Sequence, residues 1–132
     1  VWHWTKPHPQ TGAKRKGTTA AEYEAGLRDL IRRIQAKGSK VLLCTPSVIG
    51  EGLDFTSPEN QRLDAYADIC RTVAREMGCP LVDLRKAFID YLKDNNPTRA
   101  PKGILTQDTV HLKEQGNKLV AQQITKALKL YE

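Results

Sequence analysis

The sequence predicts an α/β fold built on a parallel sheet. Two short apolar runs, at residues 40–46 and 80–84, fit strands buried on both faces. Four other segments repeat their apolar residues at helical spacing. The resulting order of helix, strand, helix, strand, helix, loop, helix is that of parallel strands joined by crossover helices. At 132 residues, 39% apolar and 27% charged, the chain has the length and composition of one folded domain, read as residues 1–132. Two strands are too few for four helices, because a parallel pair buried on both faces needs further strands at its sides. The expectation is a domain whose front part is missing.

Residues 1–18 contain Trp2, His3, Trp4, two prolines and a basic Gly/Thr run without a sustained period, and read as a loop. Thr19-Ala20-Ala21-Glu22 is a capping box. Tyr23, Leu27, Leu30, Ile31 and Ile34 then fall at i, i+4, i+7, i+8 and i+11, which predicts a helix over 19–37, closed at Gly38. Lys40-Val41-Leu42-Leu43-Cys44-Thr45-Pro46 is β-branched at its start and stopped by proline, as a strand is. A Gly-rich loop at 49–52 leads to Ser57-Pro58, which opens a helix with proline at its first position. Leu63, Tyr66, Ala67, Cys70, Val73, Ala74 and Met77 trace its inner face, and Gly78 ends it. Pro80-Leu81-Val82-Asp83-Leu84 is the second strand. Asp83 caps a helix with Ala87, Phe88, Tyr91 and Leu92 inward, broken at Asn95-Asn96-Pro97. A polar, proline-bearing loop follows. The terminal helix turns Leu119, Val120, Ile124, Ala127, Leu128 and Tyr131 inward.

The net charge of +6 is local: residues 1–40 hold nine Lys/Arg against three Asp/Glu, and the remainder holds twelve of each. Lys14-Arg15-Lys16 reads as a solvated loop. No aromatic platform or recognition motif accompanies it, which argues against nucleic acid as a partner. No run of 18 apolar residues occurs, so no membrane partner is expected. Cys44, Cys70 and Cys79 form no C-x-x-C and have no histidine at zinc spacing. They read as buried thiols, permit at most one internal disulfide, and make a metal site unexpected. His3 and His8 have no carboxylate nearby and read as surface residues.

Chemistry concentrates in Asp108-Thr109-Val110-His111-Leu112. A carboxylate and an imidazole stand three residues apart, just ahead of a helix. If the turn projects both the same way, Asp108 accepts the proton of one ring nitrogen and leaves the other to act as a general base. The pair is expected within hydrogen-bond reach, at the C-terminal edge of the sheet where open parallel sheets place their ligands.

With Gly116-Asn117 and the terminal helix behind it, this D-x-x-H-L block resembles the last conserved block of the SGNH (GDSL-like) hydrolases, which are esterases and lipases. The likeness continues through Thr45-Pro46, the long helix after it, Pro80-Leu81-Val82-Asp83-Leu84 and Gly103-Ile104-Leu105-Thr106, in the family's order. It implies a three-layer α/β/α domain with a flavodoxin-like parallel sheet, here lacking the N-terminal strands. It also implies a Ser-His-Asp triad with His111 and Asp108 as catalytic members. The family's serine lies in an N-terminal Gly-Asp-Ser block, and a glycine and an asparagine complete its oxyanion hole. Ser39, Ser47 and Ser57 are in no such setting, and Val1-Trp2-His3-Trp4 looks like what directly follows the family's Gly-x-Asn-Asp block. The chain thus looks like the C-terminal part of such a hydrolase, with the missing N-terminal segment as its partner.

The implied activity is hydrolysis of small-molecule or carbohydrate esters, such as acetylated carbohydrate, without metal or organic cofactor. This chain alone would be silent. Trp2, His3 and Trp4 would contact substrate at the mouth of the site, or the tryptophans would fill core beneath the sheet edge. Action on polysaccharide favours a secreted or periplasmic setting. Two positions depart from the family: Thr109 stands where many members have Gly, and Lys113 where many have a capping Asn, Ser or Thr. The competing reading is a non-catalytic binding module that keeps the fold and uses the basic loop at 14–16 as its interaction surface. A Gly-Asp-Ser block upstream of Val1 would decide for the enzyme.

Overall fold

The computed structural model describes residues 17–129, so Trp2, His3, Trp4, the basic loop at 14–16 and Tyr131 lie outside the described residues. The elements are α1 (Ala20–Gln35), β1 (Leu43–Cys44), α2 (Pro58–Glu76), β2 (Leu81–Val82), α3 (Leu84–Asn95) and α4 (Glu114–Lys129), a mixed α/β arrangement with a small parallel sheet. β1 pairs with β2, with Leu43 opposite Leu81 and Cys44 opposite Val82. The amides of Leu43 and Thr45 extend the ladder by donating to the carbonyls of Pro80 (2.9 Å) and Val82 (3.1 Å).

The helix ends follow the expected chemistry. Thr19 Oγ1 accepts from the Glu22 amide (3.2 Å) while the Glu22 carboxylate accepts from the Thr19 amide (2.8 Å), which satisfies two of the donors that the first turn leaves open. Gly38, at φ +76°, closes α1 as the Ser39 amide reaches back to the Ile34 carbonyl. Ser57 caps α2 ahead of Pro58, and Asp83 caps α3 by accepting from the Lys86 amide (3.0 Å). At the start of α4, Lys113 does not cap. Its Nζ donates instead to the Gly103 carbonyl (2.8 Å), and Glu114 supplies the negative charge that the helix N-terminus favours.

α1 packs on α2, α2 touches both strands, α3 packs on α4, and α4 reaches β2. On α2 the inner face is buried as predicted at Leu63, Ala67, Cys70, Val73 and Ala74, with Tyr66 and Met77 half-buried. Val48, Phe88, Leu92, Leu105 and Leu119 form a core between α3, α4 and the loops around them. Unannounced by any apolar pattern, Arg85 is also buried. Its guanidinium donates to Asp64 (2.8 Å), the Asn60 side-chain oxygen (2.8 Å) and the Ser47 carbonyl (3.2 Å), and it sits over the Phe55 ring. Such a set of partners is what a buried charge requires.

Several expectations are corrected. Each strand has two residues rather than the length of its apolar run, and Leu43, Cys44 and Leu81 are half-buried rather than enclosed on both faces. The reason is a missing neighbour: among the described residues β1 is hydrogen-bonded only to β2. Leu128 (53% exposed), expected inward, faces out, as do Leu30 (53%) and Ile34 (40%) on the apolar stripe of α1, for want of a covering element among those residues. The three thiols are free, but only Cys70 is fully buried. Burial pushes the pKa of each thiol up, and Cys70 Sγ lies 3.1 Å from the Tyr23 hydroxyl.

Candidate active site

The turn at 107–111 is closed by an antiparallel bridge between Thr106 and Leu112, and the Gln107 amide donates to the His111 carbonyl (2.9 Å). Inside the turn, Asp108 Oδ1 accepts from the amides of Val110 (3.2 Å) and His111 (2.8 Å), the local bonding that favours Asp at the head of a turn. Its other oxygen, Oδ2, lies 2.6 Å from His111 Nδ1. One carboxylate therefore shapes the turn and holds the ring. The bonds from His111, first its amide and then its ring, hold the Asp108 carboxyl down at about 2. Near neutral pH Asp108 is then an acceptor, and a neutral ring that donates to it from Nδ1 keeps the lone pair on Nε2, the tautomer a general base needs.

The loop leaving the C-terminal end of β1 meets this turn, where the Gly50 amide donates to the Thr109 carbonyl (2.9 Å). Thr109 itself has φ +85°. The pair stands open to solvent, with the His111 side chain 65% and the Asp108 side chain 48% exposed. Ser57 caps α2 and Ser47 gives its carbonyl to Arg85, and among the described residues no serine is hydrogen-bonded to His111. Two depressions of about 510 and 550 Å³ lie elsewhere, against the end of α1 and the residues leading into β1 and β2. Among the described residues no group of three His, Cys, Asp or Glu side chains is placed to hold a metal ion, and no helix is long and apolar enough to cross a membrane.

A residue the sequence reading passed over holds the turn from behind. Glu51 is fully buried, and Ile104 N–H donates to its Oε2 (2.8 Å). Leu105 N–H (2.8 Å), Thr106 N–H and the Thr106 hydroxyl (2.8 Å) all donate to its Oε1. Its own amide donates to the Pro101 carbonyl (2.9 Å), and its carbonyl accepts from the side chain of buried Asn96 (2.6 Å). A signal was available: between Thr45 and Asp54 the only charged residue is this glutamate, set between Gly50 and Gly52 in an otherwise uncharged loop. Behind the turn, Gly116 of α4 lies so close to Leu105 that a Cβ there would stand 2.3 Å from the Leu105 carbonyl oxygen. The Gly116-Asn117 step thus has a packing reason for its glycine.

Comparison with known proteins agrees with this fold. Among curated proteins, the chain is 31% identical over 111 residues to an uncharacterized esterase, YxiM, of Bacillus subtilis (strain 168), a stretch covering 83% of this chain and 28% of that protein. It is 31% identical over 108 residues to an acetylxylan esterase of Geobacillus stearothermophilus, covering 82% and 46%. Among solved structures, the acetyl xylan esterase AlAXEase superposes with a TM-score of 0.84 at 38% identity, over 96% of this chain and 61% of that one. LAE5, an alpha/beta hydrolase enzyme from the metagenome of Lake Arreo, Spain, superposes with a TM-score of 0.72 at 29% identity, over 85% and 48%. The chain thus spans less than two thirds of each of these relatives. Residues 11–119 match the model of the GDSL-like Lipase/Acylhydrolase family, and the chain belongs to that family.

Proposed function

We propose that this chain supplies the histidine and aspartate of a serine ester hydrolase that removes acetyl groups from carbohydrate. The observation that carries the reading is the Asp108–His111 pair, joined at 2.6 Å with the carboxylate ionised and Nε2 free to take a proton. The acetylxylan esterases among its relatives support the substrate class. In this reading residues 1–132 are part of one three-layer α/β/α domain with a flavodoxin-like sheet. Strands beside β1, the nucleophilic serine and the glycine and asparagine oxyanion donors come from sequence outside these residues. Trp2, His3 and Trp4 contact the substrate at the mouth of the site.

His111 Nε2 takes the proton of the serine hydroxyl as its oxygen attacks the acetyl carbonyl. Asp108 holds the imidazolium through Nδ1–H. The oxyanion donors stabilise the tetrahedral intermediate, and Nε2 returns its proton to the departing sugar oxygen. Water, deprotonated by the same nitrogen, then releases acetate and restores the serine.

The test is kinetic. In the full-length protein, His111→Ala should abolish hydrolysis of an acetylated xylooligosaccharide, and Asp108→Asn should lower kcat by about 10³–10⁴-fold through loss of the right tautomer. Because Asp108 stays ionised down to about pH 2, its protonation should put no acid limb on the rate profile above about pH 3. Full turnover in the His111 variant would remove the mechanism.

A further inference from the structure

We infer that Glu51 is a positioning residue for the Asp108–His111 pair, acting through the backbone at 104–106. The kinetic part of this inference rests on the function proposed above. In an extended strand successive amides point to alternate sides, so three consecutive amides meeting one carboxylate require the backbone to curl around it. Gly103, at φ +105°, begins that curl. The segment is an anion-binding nest whose occupant is the protein's own side chain.

Core filling alone does not call for a carboxylate. Glu51 is wholly buried, and among the described residues no cationic side chain forms an ion pair with it. Every donor to that carboxylate comes from the segment that ends two residues before Asp108. Thr106, bound to it through both amide and hydroxyl, is also the residue bridged to Leu112, so it anchors one side of the turn bearing the pair. The neighbouring Gly50 amide holds the far side at Thr109. The two residues Gly50 and Glu51 therefore grip the turn before and between its functional side chains. A displacement of about 1 Å at such a site costs on the order of 10²-fold in rate.

Glu51→Gln in the full-length protein tests this. Glutamine keeps the shape but turns an NH2 toward an amide that needs an acceptor, so one contact becomes donor against donor. The expected result is a folded variant by circular dichroism with kcat lowered about 10- to 100-fold and KM within about threefold. The low-field proton resonance of His111 Nδ1–H should move or vanish. A folded variant in which that resonance stays in place overturns the inference, whether or not kcat falls, because a merely structural loss leaves the pair's geometry alone. Should the glutamine variant not fold, Thr106→Val, which removes one of the four donors, is read by the same resonance with the same two outcomes. If wild-type turnover survives His111→Ala, the proposed function fails, while the resonance, which needs no turnover, still decides the role of Glu51.

Discussion

Thr109 stands between Asp108 and His111 at φ +85°, a conformation in which a β-branched side chain crowds its own backbone. Such a residue carries roughly 1–3 kcal/mol of strain and persists only where its surroundings hold it. The Gly50 amide on its carbonyl and the Asp108 carboxylate on the next two amides are those surroundings. Glycine would carry no such strain, since it adopts positive φ freely. Thr109→Gly should therefore stabilise the fold by about 1 kcal/mol after the added freedom of the unfolded chain is counted. Urea denaturation measures it, and equal or lower stability would mean that the turn is not strained. Asp108 and His111 were legible in the sequence because their bonds to each other span three residues. Glu51 was less so: its place between two glycines marks it, but its side-chain partners lie 53 to 55 residues away and no local pattern names them.

At the scale of elements, the helices announced themselves through local chemistry: the Thr19–Glu22 box, Ser57 ahead of Pro58, and Asp83. The strands did so only in part. A helix closes its own hydrogen bonds, whereas a strand extends only as far as it has neighbours, and two residues of each apolar run are paired. α4 illustrates how a helix is placed rather than formed. Gly116 lets its backbone meet the Leu105 carbonyl, which also accepts from the Lys113 amide (2.9 Å) just before the first turn. Gly116→Ala would gain helix propensity, yet its methyl group would enter the space of that carbonyl. The steric effect should prevail, with a loss of about 1–3 kcal/mol in denaturant midpoint analysis. A variant as stable as wild type would show that α4 shifts without cost.

For the whole molecule, the uncovered apolar surfaces share one cause. Leu30 and Ile34 on α1, Leu128 on α4, and the half-buried Leu43 and Cys44 belong to elements that lack a covering neighbour among the described residues. An apolar sheet edge and bare helix faces favour association. Light scattering on the 132-residue chain should report self-association, relieved when a segment supplying the neighbouring strand is added. A monomer that unfolds cooperatively without any partner would refute this. The site has a similar dependence, of a different kind. Fixing the Leu105 amide on Glu51 closes a loop of 54 residues, which costs about 3.5 kcal/mol in chain entropy before any constant term. That entropy opposes the four bonds the Glu51 carboxylate accepts. The geometry around His111 is consequently a long-range property of the fold although its two named residues are near neighbours. A peptide of residues 104–132 would contain both side chains and the helix behind them, and would leave the nest at 104–106 without its occupant.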